Sequence, residues 1–163
     1  MNVMPEVEIY TDGACSGNPG KGGYGVVIRY KKNNGEYVSK EISEGFITTT
    51  NNRMEVLSAI VALNALKKPC KVKLYSDSKY LVDAIEKKWL DNWQAKNWKT
   101  SNKKPVKNID LWEKLLLAMK PHEIDWIWVK GHAGHEFNER CDQLGVAAYN
   151  SDNLKVDDGY VES

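Results

Sequence analysis

Glu6-Val7-Glu8-Ile9-Tyr10-Thr11-Asp12-Gly13-Ala14-Cys15-Ser16-Gly17-Asn18-Pro19-Gly20 joins an alternating run to a glycine-rich turn, with an aspartate at the junction. Val7, Ile9 and Thr11 alternate with Glu6, Glu8 and Tyr10, the period of two that marks a half-buried strand. The glycines from Gly13 to Gly25 predict a turn into a second strand, Tyr24–Lys32. Asn34-Gly35 is the dipeptide of a tight hairpin, because both positions tolerate positive φ. It leads into a third strand over Glu36–Phe46. Three antiparallel strands therefore open the chain.

The pattern then changes. Residues 51–66 are apolar nearly all round, as a buried helix is, and Pro69 ends them. Val72–Ser76 reads as a fourth strand and residues 78–88 as a second helix. Residues 89–107 are irregular or helical and rich in Trp and Lys. Asn108–Lys120 forms another helix, stopped by Pro121. Ile124–Lys130 is a fifth strand with apolar residues on both sides, as in a strand covered on both faces. The loop Gly131–His135 precedes a last helix with Phe137, Cys141, Leu144 and Ala148 on one face. Three strands followed by alternating helix and strand predict an α/β fold. Its mixed five-stranded sheet has three antiparallel strands, then two parallel, with helices on both faces. Residues 1–150 form one domain, and 151–163 are a polar tail expected to lack order.

The 163 residues suffice for one buried core. A net charge of +1 says nothing about a polyanionic partner, so any basic surface has to be local. Cys15, Cys70 and Cys141 are odd in number, widely spaced and without CxxC, which disfavours a disulfide framework or zinc site. The first residues lack the cationic and apolar segments of a signal peptide, and no apolar run approaches membrane-spanning length. A cytoplasmic protein is expected.

Four carboxylates stand in separate short signatures. Asp12 is in the quoted stretch, and Glu55 ends Thr49-Thr50-Asn51-Asn52-Arg53-Met54-Glu55. Asp77 lies in Leu74-Tyr75-Ser76-Asp77-Ser78-Lys79-Tyr80, and Asp142 closes the segment that begins Gly131-His132-Ala133-Gly134-His135. Each has an ordinary alternative. Asp12-Gly13 suits a simple turn, and Asp77 suits a helix N-cap, although Ser76 and Ser78 are equally able to cap. Asp142 suits a solvated helix surface. Glu55 is the only charged residue between Arg53 and Lys67 in a helix built for burial, and Arg53 is a candidate partner. Together the four form a plausible cage for Mg²⁺ or Mn²⁺, small hard cations that prefer carboxylates.

All four segments, in order and over roughly residues 6–150, resemble the type 1 ribonuclease H family in its bacterial form. The resemblance implies the ribonuclease H-like fold and a Mg²⁺-dependent endonuclease that cuts the RNA strand of RNA–DNA hybrids. It implies two Mg²⁺ ions per site, with Mn²⁺ as an alternative, and products ending in 5′-phosphate and 3′-hydroxyl. Asp12 would bridge both ions, Asp77 and Asp142 would serve the nucleophile side, and Glu55 the leaving-group side. His132 matches the family's mobile catalytic histidine, a proton shuttle suited to neutral pH. Where relatives often carry Pro-Glu after the second histidine, this chain has Glu136-Phe137. The family also implies a monomer without an obligate protein partner.

Residues 86–107 hold Lys87, Lys88, Lys96, Lys99, Lys103, Lys104 and Lys107 against Glu86 and Asp91, a local net of +5 from seven lysines and two acids. Trp89, Trp93 and Trp98 are interleaved, with Thr100 beside Lys99. Lysines neutralise phosphates and indoles pack on sugars or bases; a solvated basic face with core tryptophans is the alternative. By resemblance this segment is the basic handle that grips the DNA strand. Cys15, Asn18, Asn51 and Asn52 match minor-groove and 2′-hydroxyl contacts, and an amide can both donate to and accept from a hydroxyl. Thr50 and Asn108 match a pocket for a DNA phosphate, which lacks one cation because Thr48 stands where many relatives carry Arg. Lys79 stands where relatives often carry Gln and is a further candidate substrate contact. The rivals are a resolvase-like DNA nuclease, a noncatalytic hybrid-binding module, and a sugar kinase or ATPase, whose second large domain does not fit in this length.

Overall fold

The computed structural model describes residues 4–100, 103–130 and 135–161. Strands β1 (Glu6–Cys15), β2 (Gly20–Lys31) and β3 (Tyr37–Thr49) form an antiparallel meander. Helix α1 (Asn51–Asn64) then leads to β4 (Lys71–Ser76) and α2 (Lys79–Glu86). After α3 (Trp89–Ala95) and α4 (Ile109–Met119) come β5 (Glu123–Trp128), α5 (Glu136–Tyr149) and β6 (Leu154–Lys155). The sheet order is β5-β4-β1-β2-β3-β6, with β4 parallel to both β1 and β5. Asn34-Gly35 makes the hairpin as expected: Gly35 has φ 90°, and the Lys32 N–H donates to the Glu36 carbonyl at 2.7 Å.

Register explains the core. Val7, Ile9 and Thr11 of β1 stand beside Val72, Leu74 and Ser76 of β4 and beside Tyr30, Ile28 and Val26 of β2. All but Tyr30 are buried. They meet Met54, Ala59 and Leu63 of α1, Leu81 of α2, and Trp112 and Leu115 of α4 in one hydrophobic cluster. Burying a large apolar side chain is worth about 1.5–3 kcal/mol, so this layer carries most of the stability. Helix α5 covers the opposite face. It sits close to β2 because Gly25 leaves room: a Cβ there would collide with the Cys141 carbonyl.

The structure departs from the sequence-based expectation in three places. Strands β1 and β2 extend into the glycine-rich segment, leaving only residues 16–19 as the turn, because those glycines admit helices rather than bend the chain. The fifth strand lies at the sheet edge instead of being covered on both faces: Trp126 is buried, but Trp128 is 42% exposed. A sixth strand exists, and it lies in the tail expected to lack order. Leu154–Lys155 pairs in parallel with Gly45–Phe46, and Asp157 docks on α1.

Candidate active site

Asp12 lies on the central strand β1, one residue beyond the Thr11–Ser76 pairing with β4. Asp77 follows Ser76 directly, so the parallel register brings the two carboxylates side by side. Asp77 is relieved of capping duty. Ser78 caps α2, its Oγ accepting from the Leu81 N–H at 3.2 Å, while Ser76 Oγ accepts from the Ser78 N–H at 3.1 Å. Glu55 arrives from α1, capped by Thr50, whose Oγ1 accepts from the Arg53 N–H at 3.3 Å. Gly13 makes this approach possible, since a Cβ there would stand 2.6 Å from the Glu55 nitrogen.

Carboxylate oxygens of Asp12, Glu55 and Asp77 lie within 4.8 Å of one another. Asp142, half-buried on α5, lines the same cleft of about 530 Å³. Its oxygens are outside that tightest triad. Burial, followed by the charges of Glu55 and Asp77, pushes the Asp12 carboxyl far above the usual range. Burial and Asp77 raise Glu55 as well. Asp142 adds to both. Glu55 Oε2 is buried without a hydrogen-bond partner. Crowded, dehydrated carboxylates without a cation are costly, and an orphaned hard oxygen among them fits a divalent ion of the Mg²⁺ class.

Arg53, the candidate partner of Glu55, turns away from it. Its guanidinium is bidentate to Asp110 (2.9 and 2.7 Å) and to Asp157 (2.7 and 2.9 Å). Neither acid stands out as its partner in the sequence, since the pairs span 57 and 104 residues. Nη1 also donates to Asn108 Oδ1 at 3.2 Å, and Asn108 Nδ2 donates to Tyr80 Oη at 3.1 Å. Thr50 and Asn108 thus both attach to Arg53. Thr48 is exposed nearby on β3.

Cys15, Asn51, Asn52 and Lys79 line the carboxylate cleft. Asn18 is anchored at its side, where Oδ1 accepts from the Asn51 N–H at 3.1 Å. The lysines at 87, 88, 96 and 99 are all exposed, and one ion pair, Lys87–Asp83 at 3.4 Å, joins this set to an acid among the described residues. The tryptophans divide. Trp93 packs on Trp112 (5.7 Å between centroids), and Trp98 joins the margin of the core, so both anchor the lysine-rich segment to the domain. Trp89 remains at the surface. Thr100 Oγ1 accepts from the Lys104 N–H, closing a turn. His132 lies outside the described residues. Trp128, absent from the sequence-based set, reaches the site through a hydrogen bond from Nε1–H to the Asp77 carbonyl (3.2 Å). An aromatic at the very end of a strand was the available signal.

A central aspartate, a helix-borne glutamate and a second aspartate after the neighbouring parallel strand form an acidic cluster, able to hold a divalent ion, on a mixed α/β sheet. Residues 4–150 match the RNase H family, and the chain belongs to it. It is 55% identical over 160 residues to a ribonuclease H of Shewanella sp. (strain ANA-3), covering 98% of both chains. It is 54% identical to ribonuclease HI of Shewanella oneidensis, with the same coverage. Among solved structures, LC9-RNase H1, a type 1 RNase H with the type 2 active-site motif, superposes with a TM-score of 0.82 at 33% identity. That match covers 91% of this chain and 74% of the other. LC11-RNase H1 in complex with an RNA/DNA hybrid gives 0.60 at 26% identity, over 88% and 96%.

Proposed function

We propose that this chain is a divalent-metal-dependent endonuclease that hydrolyses the RNA strand of RNA–DNA hybrids, leaving 5′-phosphate and 3′-hydroxyl ends. The observation that carries the reading is the triad of Asp12, Glu55 and Asp77 oxygens, crowded within 4.8 Å of one another. Asp12, Glu55, Asp77 and Asp142 would hold two Mg²⁺ ions, or Mn²⁺ in their place. When bound, such a pair supplies an activated water and charge neutralisation at the leaving oxygen. The cleft's rim supplies discrimination. Asn51, Asn52 and Asn18 present amides that both donate and accept, the chemistry a 2′-hydroxyl requires, with Cys15 beside them. Thr50 and Asn108 face a DNA phosphate. Lys87, Lys88, Lys96, Lys99 and Thr100, with Trp89 at the surface, hold the DNA strand, while Trp93 and Trp98 fix the handle that carries them.

His132 moves the proton at the reacting oxygen. His132→Ala is expected to lower kcat about 100-fold with little change in KM, the lower end of what general acid–base help contributes. Loss of hybrid binding in this variant would make His132 a substrate-binding residue instead. The protein acts as a monomer in the cytoplasm. Three separate free thiols suit a reducing compartment, and no helix among the described residues is long and apolar enough to cross a membrane.

The deciding experiment incubates the protein with end-labelled hybrid, duplex DNA and duplex RNA, with Mg²⁺, Mn²⁺ or EDTA. Internal cuts in the RNA strand of the hybrid alone, and only with metal, are the expected result. Cleavage of duplex DNA would favour a resolvase-like nuclease. Tight hybrid binding without cleavage would leave a noncatalytic module.

A further inference from the structure

Trp128 ends the edge strand β5, beside Ser76 in the parallel register. It lies outside the core: Trp126 is the buried indole, while Trp128 is 42% exposed. Both polar contacts of this exposed ring go to the segment that carries Asp77. The indole N–H donates to the Asp77 carbonyl at 3.2 Å. The ring face lies under the Lys79 ammonium, with Nζ 4.9 Å from the centroid, inside the range of a cation–π contact. Lys79 needs such a hold. It is the first residue of α2, where the helix dipole disfavours a cation, and no acidic residue stands in that first turn. Among the described residues no ion pair joins Lys79 to a carboxylate. The ammonium is thus held at the mouth of the carboxylate cleft, which Lys79 lines with Asp77 and Tyr80.

We propose that Trp128 is a positioning residue of this nuclease site: its N–H fixes the main chain bearing Asp77, and its ring holds the Lys79 ammonium to meet a phosphate of the RNA strand. The proposal rests on the hybrid-nuclease reading. A cation held this way suits a phosphodiester, because the indole attracts the ammonium without neutralising it.

Four variants separate the two links: Lys79→Gln, Trp128→Phe, Trp128→Leu and the Lys79→Gln/Trp128→Leu double variant. Hybrid affinity is measured by fluorescence anisotropy in EDTA across a salt series, and cleavage in Mg²⁺. Lys79→Gln and Trp128→Leu should each weaken affinity about threefold and flatten the plot of log affinity against log salt by about 0.7–0.9, the signature of one phosphate contact. The double variant should be no weaker than either alone, since both remove the same interaction. Trp128→Phe keeps a ring face and loses the N–H. It should retain affinity and salt slope, and lower kcat several-fold. Additive losses in the double variant, or an unchanged salt slope in Trp128→Leu, would overturn the proposal. So would a loss of affinity in Trp128→Phe equal to that in Trp128→Leu. Thermal melts accompany each protein, and Trp128→Phe and Lys79→Gln decide the matter if Trp128→Leu unfolds. Should the wild-type protein neither bind nor cut hybrid, the underlying reading fails and this proposal with it; a wild type that cuts, with additive variants, removes only the positioning role.

Discussion

Arg53 and Glu55 stand two residues apart on α1, both almost fully buried, and serve opposite ends. Arg53 sits between Asp110 and Asp157, which take its guanidinium in two bidentate pairs, with Thr49 Oγ1 donating to Asp157 at 2.7 Å. Burial alone would raise the Asp110 carboxyl, but the hydrogen bonds and charge of Arg53 bring it below its ordinary value. On the next stretch of the helix, Glu55 has no cationic partner; burial with the like charge of Asp77 drives it upward despite a hydrogen bond from the Gly13 main chain, and burial with Glu55 and Asp77 drives Asp12 upward. One network is closed by its own cation and holds the C-terminal segment to α1. The other is left open. A folded chain keeps such a repulsive cluster only at the expense of stability, and that deficit marks where a ligand of opposite charge belongs.

The largest test of that contrast is Asp77→Asn, which keeps shape and removes charge from the open network. Hybrid cleavage should fall by several orders of magnitude while hybrid binding persists. Metal-free stability should rise, by a few degrees in Tm, because a like charge has left a dehydrated cluster. Near-normal cleavage would remove Asp77 from the site. Asp157→Asn is the opposite experiment. It leaves Arg53 half-compensated in a buried position, so unfolding free energy should fall by about 3 kcal/mol, read from urea midpoints, with cleavage near wild type. A loss of activity without a loss of stability would show that the closed network serves catalysis after all.

Proton linkage gives a smaller effect with a predictable sign. Asp12 and Glu55 have folded-state pKa values above their unfolded ones, so the native state binds more protons and stability falls as pH rises. In EDTA the Tm should therefore decline by a few degrees from about pH 5 upward through neutrality. Mg²⁺ should restore more of it at pH 8 than at pH 5. Asp110, lowered by Arg53, works the other way, and its contribution is lost only as pH falls below the ordinary carboxylate range. A flat metal-free profile above pH 5 would mean the open network is not repulsive.

The open network is legible in the sequence and the closed one is not. Each carboxylate of the cleft stands in its own short signature, and the apolar surroundings of Glu55 mark its burial before any coordinates are known. The Ser78 cap that frees Asp77 is equally visible. Arg53 looks like Glu55's partner because proximity in sequence is what a sequence displays. Its true acids lie 57 and 104 residues away, one of them in a tail whose polar composition hides a two-residue strand. The glycines of β1 and β2 mislead for a related reason. Composition registers them as turn residues, whereas here they clear space for α1 and α5. Trp128 escapes notice because an apolar residue in a strand reads as core whichever side of the sheet is covered.

The lysines of residues 86–107 extend the contrast to the surface. They too are mostly uncompensated, since Lys87–Asp83 is the ion pair found there among the described residues. If unpaired charge marks function here as well, these cations await phosphates. Their scaffold supports this, because Lys88, Asn97, Trp98, Lys103 and Asn108 all hold positive φ, a costly backbone that persists where packing enforces it. Trp93 and Trp98 pack this segment against the core. Replacing Lys87, Lys88, Lys96 and Lys99 by Ala should raise KM several-fold while single-turnover cleavage at saturating enzyme stays near wild type. The salt slope should flatten by about 0.7–0.9 for each phosphate that is no longer neutralised. The summed flattening counts how many of the four exposed lysines reach a phosphate. Thr48→Arg in this lysine-depleted background should recover part of the affinity, because it returns a cation to the surface beside Thr50. Surface cations of this kind act through charge rather than packing, so the stability of all these variants should stay close to that of the parent. An unchanged salt slope would mean that the lysines never touch the substrate, and that unpaired charge at this surface is merely solvated.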